Sequence, residues 1–437
     1  MSVTERAPVI AEPGGWTGLS VLVVGLCFLI NAVDGMNVLL VSYLAPMMAK
    51  DWGLSSTTLG AVFSAGLVGM AIGGLVLAPF GDRYGRRPLI LGSLLLMSVG
   101  MVGSGFARSV AELLGARVIV GMGIGTALAC MTALVAEFAP ARRRNFAVGL
   151  LQGGYPIGAT ATGFVTAWAV GSHSWRSILL FSGFGSLAFF PLVFLLLPES
   201  ISFLLHAQPK NALEKLNRIR RRLNTTALEA LPKLEQADER KGVLRTLLGE
   251  RLRHDTLLLW CAIFFGFMVL YSIVSWIPKL AIDAGLNPRA GIYAGSVYNI
   301  GAFVGTVALA RLAEVLGLKP LIGTFLLAAA VLLIVFGGVP MPVAGVLLTA
   351  FAIGVTLQGG FNGIYPLSAC VYPVRVRSSG LGWAMGVGRA GAVIGPLLSG
   401  YILSLHVPLV VLFVVLAVPL VIASGAAISI RQTTHQV

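Results

Sequence analysis

Hydrophobic and polar positions divide this chain into twelve apolar runs separated by short polar breaks. The runs cover 18–46, 57–80, 88–107, 110–138, 145–170, 177–197, 256–279, 290–316, 320–338, 341–369, 378–403 and 406–430. Each is near or above the roughly 20 residues that carry a helix across a bilayer. The prolines and glycines inside several of them are tolerated in membrane helices. One long polar segment, Pro198 to Asp255, separates the sixth run from the seventh. The pattern predicts an all-α membrane protein with twelve transmembrane helices in two pseudo-symmetric six-helix bundles. Its predicted parts are a tail (1–17), an N-terminal bundle (18–197), a central loop (198–255), a C-terminal bundle (256–430) and a second tail (431–437).

The two halves also repeat in sequence. Gly73-x7-Gly81-Asp82-Arg83-Tyr84-Gly85-Arg86-Arg87-Pro88 returns 232 positions later as Gly305-x7-Ala313-Glu314-Val315-Leu316-Gly317-Leu318-Lys319-Pro320. Pro140, Arg142, Arg144, Gly149, Gly153 and Gly158 return 233 positions later as Pro373, Arg375, Arg377, Gly382, Gly386 and Gly391. Run two therefore matches run eight, and run five matches run eleven. A charged turn placed twice in two similar halves points to homologous bundles that move against each other. Glycines four apart let helix backbones approach closely.

Composition agrees with lipid as the solvent. Of the 437 residues 57% are hydrophobic and 11% charged, with mean hydropathy +0.90, against about 25% charged in a soluble domain. The net charge of +14 raises nucleic acid as a partner for a soluble protein. Here the basic residues sit between apolar runs, so an anionic membrane face is the simpler partner. With the N-terminus inside, 24 of the 31 lysines and arginines fall on the cytoplasmic side, Arg311 at the inner end of its run included. That is the positive-inside pattern, and it places both termini in the cytoplasm. The first 16 residues lack the form of a cleaved signal. Leu213, Leu216, Ile219 and Leu223 among basic residues predict an amphipathic helix in the central loop. Cys27, Cys130, Cys261 and Cys370 lie in or beside apolar runs with no metal or disulfide spacing.

Several motifs resemble the major facilitator superfamily. Gly81-Asp82-Arg83-Tyr84-Gly85-Arg86-Arg87 resembles its cytoplasmic 2–3 loop signature. Arg117-x3-Gly121-x-Gly123 resembles the fourth-helix motif associated with proton coupling. Glu137-x2-Pro140 and Pro198-Glu199-Ser200 resemble motifs shared with the sugar-porter branch. The chain is similar in particular to the aromatic acid:proton symporters, through Asp34-Gly35, Trp276-Ile277-Pro278 and the stretch from Arg377 through Trp383 and Arg389 to Pro396. That family usually carries a second aspartate three residues after the first in span one. This chain has Asn37 there, which only hydrogen-bonds, so substrate or coupling ratio is open to change.

Asp34, Arg117 and Arg389 are the formal charges deep in the spans. Each costs about 2.5–3.5 kcal/mol at the bilayer centre on insertion scales, so a shared water-filled cleft is expected. One acid and two bases leave one positive charge in excess, which a substrate carboxylate neutralises. Asp34 and Arg117 are expected to pair when Asp34 is ionised and to part when it is protonated, making them the proton-coupling residues. Arg389 is the expected carboxylate fork. Asn31, Asn37, Gln152, Tyr155, Tyr271, Tyr298, Asn299, Gln358, Asn362, Tyr365 and Trp383 complete the candidate pocket. Asp82, Arg83, Arg86, Arg87, Glu137, Arg144, Glu199, Glu314, Arg375 and Arg377 are expected to form a cytoplasmic charge latch between bundles.

These residues lead to a proton-coupled carrier, not an enzyme. It imports a small organic anion, expected to be an aromatic carboxylate, by alternating access across a bacterial inner membrane. No metal and no cofactor beyond the proton are expected, and a monomer suffices. A sugar or polyol proton symporter and a non-transporting membrane receptor for aromatic acids are the alternatives.

Overall fold

The computed structural model describes residues 15–232, 243–250, 252–372 and 374–431, with side chains for all of these except 243, 369–370 and 374–379. Twelve long helices dominate it. They are α1 (Gly18–Trp52), α2 (Ser56–Tyr84), α3 (Arg86–Phe106), α4 (Val110–Phe138), α5 (Arg144–Ala169) and α6 (Trp175–Leu196). The second half holds α7 (Arg253–Asp283), α8 (Pro288–Leu316), α9 (Leu318–Gly338), α10 (Val343–Ser368), α11 (Val374–Ser404) and α12 (Leu409–Ser429). Their boundaries follow local chemistry. Thr17, Ser55, Ser109, Ser174 and Asn287 each accept a hydrogen bond from a first-turn N–H, which satisfies donors a helix start leaves open. Gly85 and Gly317, the repeated glycines, turn the chain at φ 102° and 81°, a region other residues resist.

Eleven of the helices are long and apolar enough to cross a membrane by length and composition. α5 is the exception at 26 residues, because Gln152, three threonines and five glycines dilute it. It still lies between α1 and α8 inside the assembly. The apolar surface points outward: Phe181, Leu195 and Val315 are 67%, 76% and 83% exposed. Such exposure is a liability in water and ordinary in lipid. The protein is an integral membrane protein.

Packing follows the repeat. Within the first half α1 packs on α5, α2 on α4 and α3 on α6; within the second α7 packs on α11, α8 on α10 and α9 on α12. The bundles join through α2 on α11 and α5 on α8, two seams that the same pseudo-symmetry exchanges. Between the halves, helix Ala212–Arg222 turns Leu216 and Ile219 inward and leaves Lys215, Arg218, Arg221 and Arg222 exposed.

Candidate functional site

The seams between bundles are close at the far end, the one away from the Asp82–Arg87 turn. Ser64 donates to the Val393 carbonyl at 2.7 Å, and Ser42 to that of Ser275 at 2.5 Å. Phe63 meets Trp276 edge-on at 5.2 Å, and Phe164 meets Tyr293 at 5.7 Å. A Cβ on Gly60 would sit 2.6 Å from the Pro396 carbonyl oxygen. Contacts of this closeness give way to exposed polar groups nearer the basic end. Gln152 on α5 and Tyr365 on α10 are exposed there, although each shares a helical face with residues of the cleft.

Arg389 of α11 stands in this cleft, half-buried. Its Nη1 donates to the Tyr271 hydroxyl at 3.3 Å, and its guanidinium lies 5.6 Å from the Phe267 ring centre. Phe267 packs at 4.5 Å on Phe361, which meets Tyr365 edge-on at 5.8 Å. Tyr155 of the other bundle is within electrostatic reach of Arg389, Tyr271 and Tyr298. Tyr271, Tyr365 and Arg389 thus share one neighbourhood in the C-terminal bundle, with Tyr155 of the N-terminal bundle within electrostatic reach. Tyr155 is held there by contact of its backbone with Gly35, where a Cβ would come within 2.2 Å of the Tyr155 carbonyl oxygen.

A polar chain lines the same side of the cleft. Gln358 Nε2 donates to Asn362 Oδ1 at 3.1 Å, and Asn362 Nδ2 to Thr306 Oγ1 at 2.8 Å. Asn299 is buried and donates to the Gly295 carbonyl at 2.9 Å within α8. Tyr298 is fully buried. Phe267 and Phe361 read in the sequence as ordinary apolar positions. The signal that marks them is their i, i+4 spacing to Tyr271 and Tyr365, which puts ring pairs on one face.

Asp34 and Arg117 depart from expectation in two ways. They do not share the cleft with Arg389: both are buried inside the N-terminal bundle, at 1% and 4% exposure. Nor are they paired. Arg117 donates to the Asn37 carbonyl at 3.1 Å and to Met101 Sδ at 3.2 Å. Neither Asp34 oxygen has a hydrogen-bond partner among the described residues. The cause is direction along α1. Gly35 and Asn31 face α5, and Asn37 faces Ser182 and Ser186 on α6. Asp34 lies between those two faces, one turn below Val38. Val38 and Arg117 line a cavity of ≈ 20 Å³, room for about one water.

Other expected pocket residues resolve differently. Asn31 Nδ2 donates to the Leu151 carbonyl at 2.7 Å and ties α1 to α5. Asn37 accepts from Ser182 at 3.1 Å, so its side chain is a helix tether. Trp383 lies outside the cleft. It is exposed, stacks on Trp260 at 6.4 Å, and shares its helix face with exposed Ile394 and Tyr401.

Six of the expected latch residues, Asp82, Arg83, Arg86, Arg87, Glu137 and Glu199, find their partners within one bundle. Arg86 pairs with Glu137 and, at 3.4 Å, with Asp82. Glu199 accepts from the backbone N–H groups of Arg86 and Arg87 at 2.9 and 3.1 Å. Glu137 accepts from Ser200 Oγ at 2.8 Å and Ile201 N–H at 2.9 Å. Arg87 donates to the Phe194 carbonyl, and Arg83 lies over the Tyr84 ring. All of these partners lie in the N-terminal half or its immediate exit. Arg144 begins α5 half-buried, and Glu314 is exposed. The side chains of Arg375 and Arg377 lie outside the described residues.

Fold and site define a membrane carrier: two pseudo-symmetric bundles around a cleft with a cation and aromatic rings at mid-depth. The Major Facilitator Superfamily model matches residues 26–367. A gallate transporter of Pseudomonas putida is 32% identical over 95% of this chain and 92% of its own length. The 4-hydroxybenzoate transporter PcaK of Acinetobacter baylyi is 29% identical over 94% and 90%. Among solved structures, the xylose transporter XylE from E. coli in a partially occluded inward open conformation superposes with TM-score 0.76. It covers 96% of this chain and 100% of its own, at 17% identity. The chain belongs to the major facilitator superfamily and, within it, to the aromatic acid:proton symporter family. It is a small-molecule transporter.

Proposed function

We propose that the protein imports a small aromatic carboxylate together with a proton by alternating access. The observation that carries this is Arg389, a cation seated against Phe267 and Tyr271 with Tyr155 of the other bundle within electrostatic reach. Its fork suits a carboxylate, and the rings suit the apolar body attached to it. The gallate and 4-hydroxybenzoate transporters supply the same substrate chemistry by relationship.

The basic end is taken as cytoplasmic, from the lysine and arginine distribution, with both termini on that side. Seams held close at the far end, with Gln152 and Tyr365 exposed nearer the basic end, fit the inward-facing half of the cycle. Asp34 fits the proton-bearing member. A carboxylate buried without a donor on either oxygen has nothing to offset its charge, so this arrangement suits the neutral acid. Arg117, engaged by the Asn37 carbonyl, is free of it. Ionised Asp34 would draw Arg117 back. A monoanion moving with one proton transfers no net charge. The clustered charges of Asp82, Arg86, Glu137 and Glu199 brace the N-terminal bundle at the mouth; in the opposite state we assign them the latch to the C-terminal bundle.

The test is uptake by purified protein in liposomes with an acid exterior. Labelled benzoate or 4-hydroxybenzoate should accumulate above protein-free vesicles and collapse with the pH gradient, while xylose should not accumulate. Xylose accumulation without aromatic acid uptake would overturn the assignment. Binding without flux would favour a receptor.

A further inference from the structure

We infer that Gln358 is a specificity-determining residue that reads a ring hydroxyl on the substrate; this rests on the aromatic-carboxylate reading above. The direction of a hydrogen-bond chain points to it. Thr306 has one hydroxyl proton, and it goes to the Ala302 carbonyl at 2.8 Å. Towards Asn362 the Thr306 oxygen is therefore an acceptor, so the group facing it at 2.8 Å must be the amide NH₂ of Asn362. That leaves Asn362 Oδ1 facing Gln358, which must in turn present its own NH₂, as the 3.1 Å contact has it. The orientation of both amides follows from the threonine proton. What remains at the open end is Gln358 Oε1, an acceptor with no protein donor among the described residues.

Its position fits a ligand contact. Gln358, Asn362 and Tyr365 recur at i, i+4 and i+7, so they share one face of α10. Tyr365 is within electrostatic reach of Tyr271 and Arg389. The Gln358 end of the face thus lies further along the same wall from the carboxylate fork. Gln358 also closes a π-helical turn, Gly354–Gln358. Such turns are rare and occur often at functional sites. This one inserts an extra residue in the turn and re-aims the side chains after Gly354, whose own position is pressed by the Tyr298 carbonyl. A half-buried acceptor held in fixed orientation recognises a donor. A phenolic O–H is the donor that an aromatic acid carries at the end opposite its carboxylate.

The experiment measures competition by benzoate, 4-hydroxybenzoate and 4-methoxybenzoate against labelled 4-hydroxybenzoate binding to purified full-length protein. The methoxy acid keeps the oxygen and loses the proton. The wild type should favour the hydroxy acid over both others on the order of tenfold, the worth of one hydrogen bond left unmade. Gln358→Leu should remove that preference, so that 4-hydroxybenzoate competes no better than benzoate against the variant. Thr306→Val frees the amides to reverse and should reduce the preference with Gln358 still present. If the wild type binds the three acids equally, or if either variant keeps the full preference, the inference is overturned. If no aromatic acid competes, the reading beneath it fails instead.

Discussion

Replacing Arg389 by alanine tests the anion site, and its cost is set by what the structure leaves free. A guanidinium has five N–H donors. Among the described residues the protein engages one of them, a 3.3 Å contact with Tyr271. The rest remain available to a carboxylate. A hydrogen bond to a charged group contributes about 1.5–3 kcal/mol net. Arg389 is half-buried in an open cleft, so screening favours the lower figure. Two bonds at that figure give about 3 kcal/mol, roughly 150-fold in Kd. The expected loss for Arg389→Ala is thus about two orders of magnitude. Arg389→Lys keeps the charge and loses the fork, so roughly tenfold is expected. Tyr271→Phe removes one long contact and should cost no more than about threefold. Equilibrium binding of labelled 4-hydroxybenzoate in nanodiscs reads all three, and benzamide serves as the uncharged control. Benzamide should bind weakly to the wild type and lose nothing further in Arg389→Ala. If folded, monodisperse Arg389→Ala binds the acid within twofold of wild type, the carboxylate sits elsewhere and the reasoning fails.

Other substitutions separate coupling, geometry and bracing. Asp34→Asn should abolish pH-driven accumulation while preserving substrate exchange, and full accumulation by that variant would remove Asp34 from the proton path. Gly35→Ala drives a Cβ to within 2.2 Å of the Tyr155 carbonyl oxygen, so α5 must shift and binding should fall several-fold although position 35 touches no substrate; unchanged affinity would argue against Tyr155 as part of the site. Glu137→Gln removes a charge that Arg86, Ser200 and Ile201 share and should destabilise by about 2–3 kcal/mol, seen as a lower melting temperature with affinity intact. Altered affinity at an unchanged melting temperature would contradict a bracing role.

The fold was legible because lipid imposes a coarse rule. Apolar runs long enough to span, and the repeat of the Gly85 turn at Gly317, were visible without coordinates. The charge that would bind a carboxylate was visible too, since Arg389 is conspicuous in an apolar run. Directions of side chains were harder. Asp34, Gly35 and Asn37 are near neighbours on α1 yet face different surroundings, so depth alone suggested an Asp34–Arg117 pair that the packing does not make. Trp383 sits at a suitable depth but on the lipid-facing side of α11. The Glu199 contacts to backbone N–H groups needed the chain path after α6. Phe267 and Phe361 carried no polar mark, and the π-helical turn before Gln358 has no sequence rule that announces it.

Co-movement of acid and proton is the central claim, and one measurement addresses it directly. Liposomes holding the protein and a luminal pH dye are given 4-hydroxybenzoate outside, with no starting pH gradient and labelled solute counted in parallel. Symport predicts saturable uptake matched by luminal acidification above protein-free vesicles, with both lost in Asp34→Asn under net-flux conditions. Saturable uptake that leaves luminal pH at the protein-free level would contradict it.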